Sequence, residues 1–361
     1  MTALSAFLAF AGFAVLVILH ELGHFWAAKS VGMRVEKFSL FFPPTLFSRK
    51  RGETEYAIGA IPAGGYVKIS GMNPSEDLPD EVRTRAYYAQ PVWKRIVVIA
   101  AGPAMNLVLA FVLMFVFIFL IGANTQSSKV GVVEKGYPAA PLLKPGDKLI
   151  AVDGKRGDPA VLSKQVAGHK CPGKPTRGCE AAEPATVVVE RGGRERTFKI
   201  TPIYDPQAQR TRLGFSYAQG PRETLPFGES VDWTADRFWY ITKATLELPA
   251  RLIDSQQRKE ISGVVGSYEV TRQTILNDVA QVVGILAIIS LSLAIVNLFP
   301  FLPLDGGHIF WAIVEKVRRK PVPFSVMERA GVVGFMIVIL IFLVGLTNDI
   351  DRLSGEGFQV P

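Results

Sequence analysis

Charge is scarce in this chain. Of its 361 residues only 20% are charged, against 49% hydrophobic, and the mean hydropathy is +0.25. That balance excludes an ordinary soluble enzyme and points to a polytopic membrane protein. Cysteine is scarcer still. Cys171 and Cys179 are the whole supply and no C-x-x-C pair exists, which argues against a thiol-based metal cluster. Basic helices and aromatic-interleaved basic stripes are also missing, so the net charge of +8 does not argue for nucleic acid. Lys and Arg beside membrane spans account for it. Histidine occurs only at 20, 24, 169 and 308.

Apolar sequence is what the chain has in quantity. Four stretches are long enough to cross a bilayer core, which needs roughly 20 apolar residues. The first runs from the N-terminus to Leu19 and on through residues 20–24 to Ala28. The second is Ile96 to Ala123, the third Val279 to Leu304, and the fourth and shortest Ala330 to Thr347. A cleaved signal peptide is disfavoured for the first, which lacks a positive n-region and a clear small-x-small cleavage site. Residues 29–95 carry many basic side chains, among them Lys29, Arg34, Arg49, Lys50, Arg51, Lys94 and Arg95. The third and fourth spans are joined through Lys316, Arg318, Arg319 and Lys320. Both loops are expected on the cytoplasmic face, with both termini and residues 124–275 outside.

Residues 126–205 read as a small extracytoplasmic domain. The strand-like runs are Val130 to Val133, Lys148 to Val152, Thr186 to Glu190 and Arg196 to Ile200, separated by Gly and Pro turns. Its loop 168–184 carries both cysteines, which can pair on the outer face. Residues 206–275 read as a linker with one or two surface helices at the membrane interface. Residues 1–125 and 276–361 form the N- and C-terminal halves of a membrane core.

Chemistry concentrates in His20-Glu21-Leu22-Gly23-His24. On a helix, positions i and i+4 share a face, so His20 and His24 present two imidazoles to one ion. Glu21 lies about 100° around the helix, within reach of a water rather than of the metal. Ionisable groups at the end of a membrane helix are costly and mark function by default. Two histidines leave a third ligand to find. Pro300 and Pro303 break the third span, and Gly306 and Gly307 hinder its continuation, so a carboxylate at Asp305 can point into the site. His308 is a rival three residues on.

HELGH in the first span and Asn297-Leu-Phe-Pro-Phe-Leu-Pro-Leu-Asp-Gly-Gly307 in a later one resemble the site-2 protease family of intramembrane metalloproteases. Ala101-Gly102-Pro103-Ala104-Met105-Asn106 resembles that family's G-P-x-x-N element. Gly64-Gly65-Tyr66-Val67-Lys68 resembles its membrane-associated β-hairpin, and residues 126–205 its PDZ domain. The order is that of the bacterial RseP-like branch, with one PDZ-like unit. The resemblance implies a polytopic α-helical fold of about four spans with the hairpin and an inserted PDZ-like α+β domain. It further implies Zn2+ held by His20, His24 and Asp305, Glu21 as catalytic base, and a location in the bacterial cytoplasmic (inner) membrane. Asn297 and Pro300 of the later motif are candidates for substrate contact. Implied partners are the lipid bilayer and single-pass membrane proteins, such as anti-sigma factors or remnant signal peptides, with a peptide C-terminus as candidate ligand of the PDZ-like unit. Two elements depart from the pattern. Ser262-Gly-Val-Val-Gly-Ser267 stands where S-G-P-V-G-I is common, and Pro141-Leu142-Leu143 where Ala-Gly-Leu is usual.

The hairpin has a physical reading of its own. A transmembrane helix hides its peptide bonds, and a strand edge near Gly64, Gly65 and Tyr66 that accepts an extended segment stabilises a cleavable form. Asn106 is either glue between helices or a group of the site itself, in contact with substrate. A silent PDZ-bearing scaffold is disfavoured because His20, Glu21, His24 and Asp305 are all present. A metal transporter is disfavoured because the sequence holds one such cluster rather than a path.

Overall fold

The structure is a computed structural model. It describes residues 2–354 except 74, 75, 174, 177, 206, 207, 209, 254–257, 259, 260, 262 and 279. The chain divides into two compact units, Met1–Leu120 with Leu225–Pro361, and Ile121–Thr224.

In the first unit α1 (Thr2–Ser30) leads into the long strands β1 (Val35–Arg51) and β2 (Thr54–Ile69). These strands double back. Residues 35–40 pair on one side with 65–69 and on the other with 55–58, which pair in turn with 45–51. Residues 65–69 therefore form an edge. Short α2 (Asp80–Arg83) and a 3-10 turn at Tyr87–Ala89 lead to α3 (Val92–Val116), whose end widens into a π-helical turn, Phe117–Ile121. Helices α1 and α3 meet at glycines. A Cβ on Gly23 would lie 2.4 Å from the Ala101 carbonyl oxygen, so no larger residue fits without parting them.

The hairpin is tied to its surroundings by charge. Glu53, in the β1–β2 turn, accepts both guanidinium nitrogens of Arg85 (2.7 and 2.9 Å) and the Lys29 ammonium (2.6 Å). Those bonds, Arg85 first, hold its carboxyl at about 2.

In the second unit, β3 (Ala123–Val133), β4 (Lys148–Val152), β6 (Ala185–Arg191), β7 (Arg194–Ile200) and β10 (Phe215–Glu223) form an antiparallel sheet. Its order is β10-β3-β4-β6-β7, with β5 (Lys155–Arg156) on β4. Helix α4 (Pro159–Ala167) starts from an Asp158 side-chain cap, and β8 (Ile203–Asp205) pairs with β9 (Arg210–Arg212). The core contains Val130, Leu149, Val152, Leu162, Val187, Val189 and Ile200. Buried Asp147 receives two nitrogens of Arg191, at 2.7 and 2.6 Å. Cys171 and Cys179 form a disulfide. The unit runs wider than 126–205 on both sides. Half-exposed β10 comes from the polar stretch expected to be linker.

The chain re-enters the first unit through α5 (Phe227–Leu246), α6 (Leu248–Ile253) and α7 (Val264–Asn277). Three helices thus stand where one or two surface helices were expected. Helix α5 is not merely superficial, since Phe238 and Ile241 join a core with Ala110, Met114, Ala287 and Leu291. Helix α8 (Gln281–Asn297), α9 (Asp305–Arg318) and α10 (Phe324–Ser354) complete the fold. Buried Asp349 of α10 accepts the backbone N–H groups of Gly263 (3.0 Å) and Gly266 (2.7 Å) at the start of α7.

Among the described residues, three helices are long and apolar enough to cross a membrane: Phe10–Ser30, Val92–Ile121 and Ser325–Ser354. The expected third span, Val279 to Leu304, is shorter as a helix. Val279 lies outside the described residues, and the helix closes at Asn297 after 17 residues, because the Pro300–Pro303 segment cannot continue it.

Candidate metal centre

Helical spacing puts His20 and His24 on the side of α1 that meets α3, where both rings are buried. Asp305 is the first residue of α9, delivered by the break after α8. The three donors form a near-equilateral triangle. His20 Nε2 lies 3.2 Å and His24 Nε2 3.3 Å from Asp305 Oδ2, and the two nitrogens are 3.3 Å apart. A tetrahedral ion with bonds of about 2.0–2.1 Å holds its ligand atoms about 3.3–3.4 Å apart. Asp305 Oδ2 is buried, and neither imidazole approaches it with hydrogen-bond geometry. Atoms aimed at a shared ion rather than at each other have that arrangement. The donor set, two imidazoles and a carboxylate, fits zinc. His308 stands outside the cluster, so proximity selects Asp305 over its rival among the described residues.

Of the supports of this triangle, only Gly102 lay in a quoted motif, the G-P-x-x-N element. The His24 Nδ1–H donates to the Val98 carbonyl on α3 at 2.9 Å. Gly102 lies flat against the His24 ring, and a Cβ there would sit 2.2 Å from Nε2. Two turns below that contact, Arg95 grips Glu315 of α9 through both terminal nitrogens (2.9 and 2.6 Å), fixing the helix that carries Asp305.

Glu21 is half-buried beside the triangle, and its carboxylate accepts from the Val67 backbone on the β2 edge. Gly65 is its neighbour, since a Cβ there would meet Glu21 Cγ at 3.1 Å. Gly64 and Gly65 line a narrow cleft with Phe13, Val17, Ile18 and Phe41. Tyr66 stacks on Phe42 with ring centroids 6.1 Å apart. Asn297 closes α8, and Pro300 is exposed in the connection toward Asp305.

The description of Peptidase family M50 fits residues 8–341. The chain belongs to this family. Membership as an M50 peptidase, the site-2 protease family, makes it a membrane metallopeptidase and makes zinc its metal. A Campylobacter jejuni protein named "Putative zinc metalloprotease" is 28% identical over 351 residues, 94% of this chain and 92% of its own length. Proteins of the same description in Brucella suis and in Nostoc are each 29% identical, covering 93% and 98% of this chain.

The structure also places Asn106 of this M50 chain. Asn106 stood among the substrate-facing candidates. It is fully buried, with Nδ2 3.3 Å from His20 Nδ1, while its backbone carbonyl accepts from Ser290 Oγ at 2.9 Å. It lies against His20, one of the three clustered donors.

Proposed function

We propose that this chain is an intramembrane zinc endopeptidase that cuts transmembrane segments of single-pass membrane proteins. The observation that carries the reading is the His20–His24–Asp305 triangle, two of its donors on an apolar helix long enough to span and the third at the start of α9, with Glu21 between it and the strand edge at residues 65–69. His20, His24 and Asp305 would hold the zinc, with Glu21 as base. Zinc supplies Lewis acidity that polarises a peptide carbonyl and acidifies a water.

The remaining work falls to the protein. An extended substrate adds to the edge at Gly65–Lys68, which exposes backbone that a membrane helix conceals. Gly64 and Gly65 let that segment approach closely, and Tyr66, Asn297 and Pro300 flank its path. Glu21 takes the proton of the attacking water and passes it to the departing amine nitrogen as the C–N bond breaks. The basic loops favour a site open to the cytoplasmic face of a bacterial inner membrane, four spans, and the unit at 121–224 on the other face as a PDZ-like filter or peptide-binding module.

The test measures zinc content and cleavage of a membrane-embedded substrate in parallel. Glu21→Gln is expected to keep zinc and to lose cleavage, by at least about 100-fold for a general base. Asp305→Ala is expected to lose both. Undiminished cleavage by Glu21→Gln refutes the base, and full zinc occupancy in Asp305→Ala refutes the third ligand.

A further inference from the structure

His20 has two ring nitrogens, and the site leaves each one task. Nε2 faces Asp305 Oδ2 at 3.2 Å and His24 Nε2 at 3.3 Å. A metal takes that nitrogen without its proton, so the ring proton must then reside on Nδ1. A buried N–H requires an acceptor. Among the described residues, the side chain at Nδ1 is the Asn106 amide, with Nδ2 at 3.3 Å. Asn106 is 0% exposed, and its Oδ1 is buried with no hydrogen-bond partner. Ser290 holds the Asn106 backbone carbonyl from α8, so the main chain of Asn106 is anchored independently of its side-chain amide. His24 is braced differently, by a main-chain carbonyl that cannot turn.

We propose that Asn106 is the positioning residue of His20. A half rotation about its terminal side-chain bond brings Oδ1 to His20 Nδ1, where it accepts the ring proton and commits Nε2 to the metal. The two ends of the amide have nearly the same shape, so the rotation needs no repacking. With Nδ2 toward the ring, the same residue serves the other tautomer, in which Nε2 carries the proton and lies beside Asp305. An amide meets both requirements without adding charge to a dry helix crossing. A leucine meets neither.

This inference rests on His20, His24 and Asp305 being the zinc ligands. The experiment therefore measures zinc affinity by chelator competition on the full chain in detergent, for wild type, Asn106→Leu, Asn106→Asp and His20→Ala. Asn106→Leu is expected to weaken zinc binding about 10–100-fold, the usual cost of losing such a support. Asn106→Asp keeps an acceptor of equal size and should bind zinc more tightly than Asn106→Leu, short of wild type by whatever its buried charge costs. Asn106→Ala replaces the leucine variant if leucine does not pack. The KM for a membrane substrate, measured with zinc saturating, should not move. Wild-type zinc affinity in both Asn106→Leu and Asn106→Ala overturns the inference, as does a raised KM with unchanged affinity, which would return Asn106 to the substrate. Zinc retained by His20→Ala overturns the ligand reading itself.

Discussion

Gly102→Ala adds one methyl group about as close to the chemistry as a methyl can come. The new Cβ would sit 2.2 Å from His24 Nε2, 2.6 Å from Cε1 and 2.7 Å from Cδ2. Ordinary contact begins near 3.4 Å, so ring and backbone must part by more than about 1 Å, whereas a metal–ligand bond tolerates about 0.2 Å. The helices cannot share the movement easily. They already touch where Gly23 meets Ala101, and α3 is bound to α9 through Arg95 and Glu315. The ring must therefore swing away, breaking its hydrogen bond to Val98 and leaving two protein ligands. Overpacking of this kind costs about 1–3 kcal/mol of stability. Losing a ligand exceeds the 10–100-fold cost of losing a ligand's support, so zinc affinity should fall by at least about 100-fold. Elemental analysis after dialysis against graded chelator reads the metal, and thermal unfolding reads the fold. Gly331→Ala is the control, because its Cβ would meet Leu302 at an unstrained 3.8 Å. Zinc affinity within threefold of wild type in a folded Gly102→Ala protein would refute the reasoning.

Two further predictions concern the scaffold. Asp349→Ala strands two backbone N–H groups at the start of α7 and should cost about 2–4 kcal/mol, seen as a lower Tm and faster amide exchange across residues 264–277; unchanged exchange there would show that Asp349 does not cap α7. Glu53→Gln should cost only about 1 kcal/mol at neutral pH, since the ion pairs are partly solvated. Because the folded pKa of Glu53 is depressed from 4.5 to about 2, its contribution is complete above about pH 4.5 and fades as pH falls toward 2. The stability gap between wild type and Glu53→Gln should close across that window, and a gap constant down to pH 2 would count against the ion pairs.

The pairing of His20 and His24 on one face was legible because helical periodicity and membrane cost both act over a few residues. The Asp305 break was legible because proline and glycine act locally through the backbone. Proximity then separated Asp305 from His308, which spacing alone had left open. What could not be read were contacts whose partners are remote and carry no local pattern. The Val98 carbonyl is invisible in a side-chain sequence. Gly102 is part of a G-P-x-x-N element in sequence, but its contact shows only when His24, 78 positions earlier in numbering, is laid against it. Strand β10 escaped because an edge strand with one wet face has the composition of a linker. The third span was overextended for the opposite reason, since hydropathy continues past Asn297 while the helix does not.

The three donors that would hold the proposed zinc come from opposite ends of the chain: His20 and His24 on α1, Asp305 on α9. During synthesis the first helix enters the membrane long before Asp305 is made. Until α9 has been translated and has docked through Arg95 and Glu315, the nascent protein has two ligands and no complete centre. In the proposed reading the donor set is therefore completed only after the hairpin and the residues of 121–224, which lie between His24 and Asp305 in sequence, have been made.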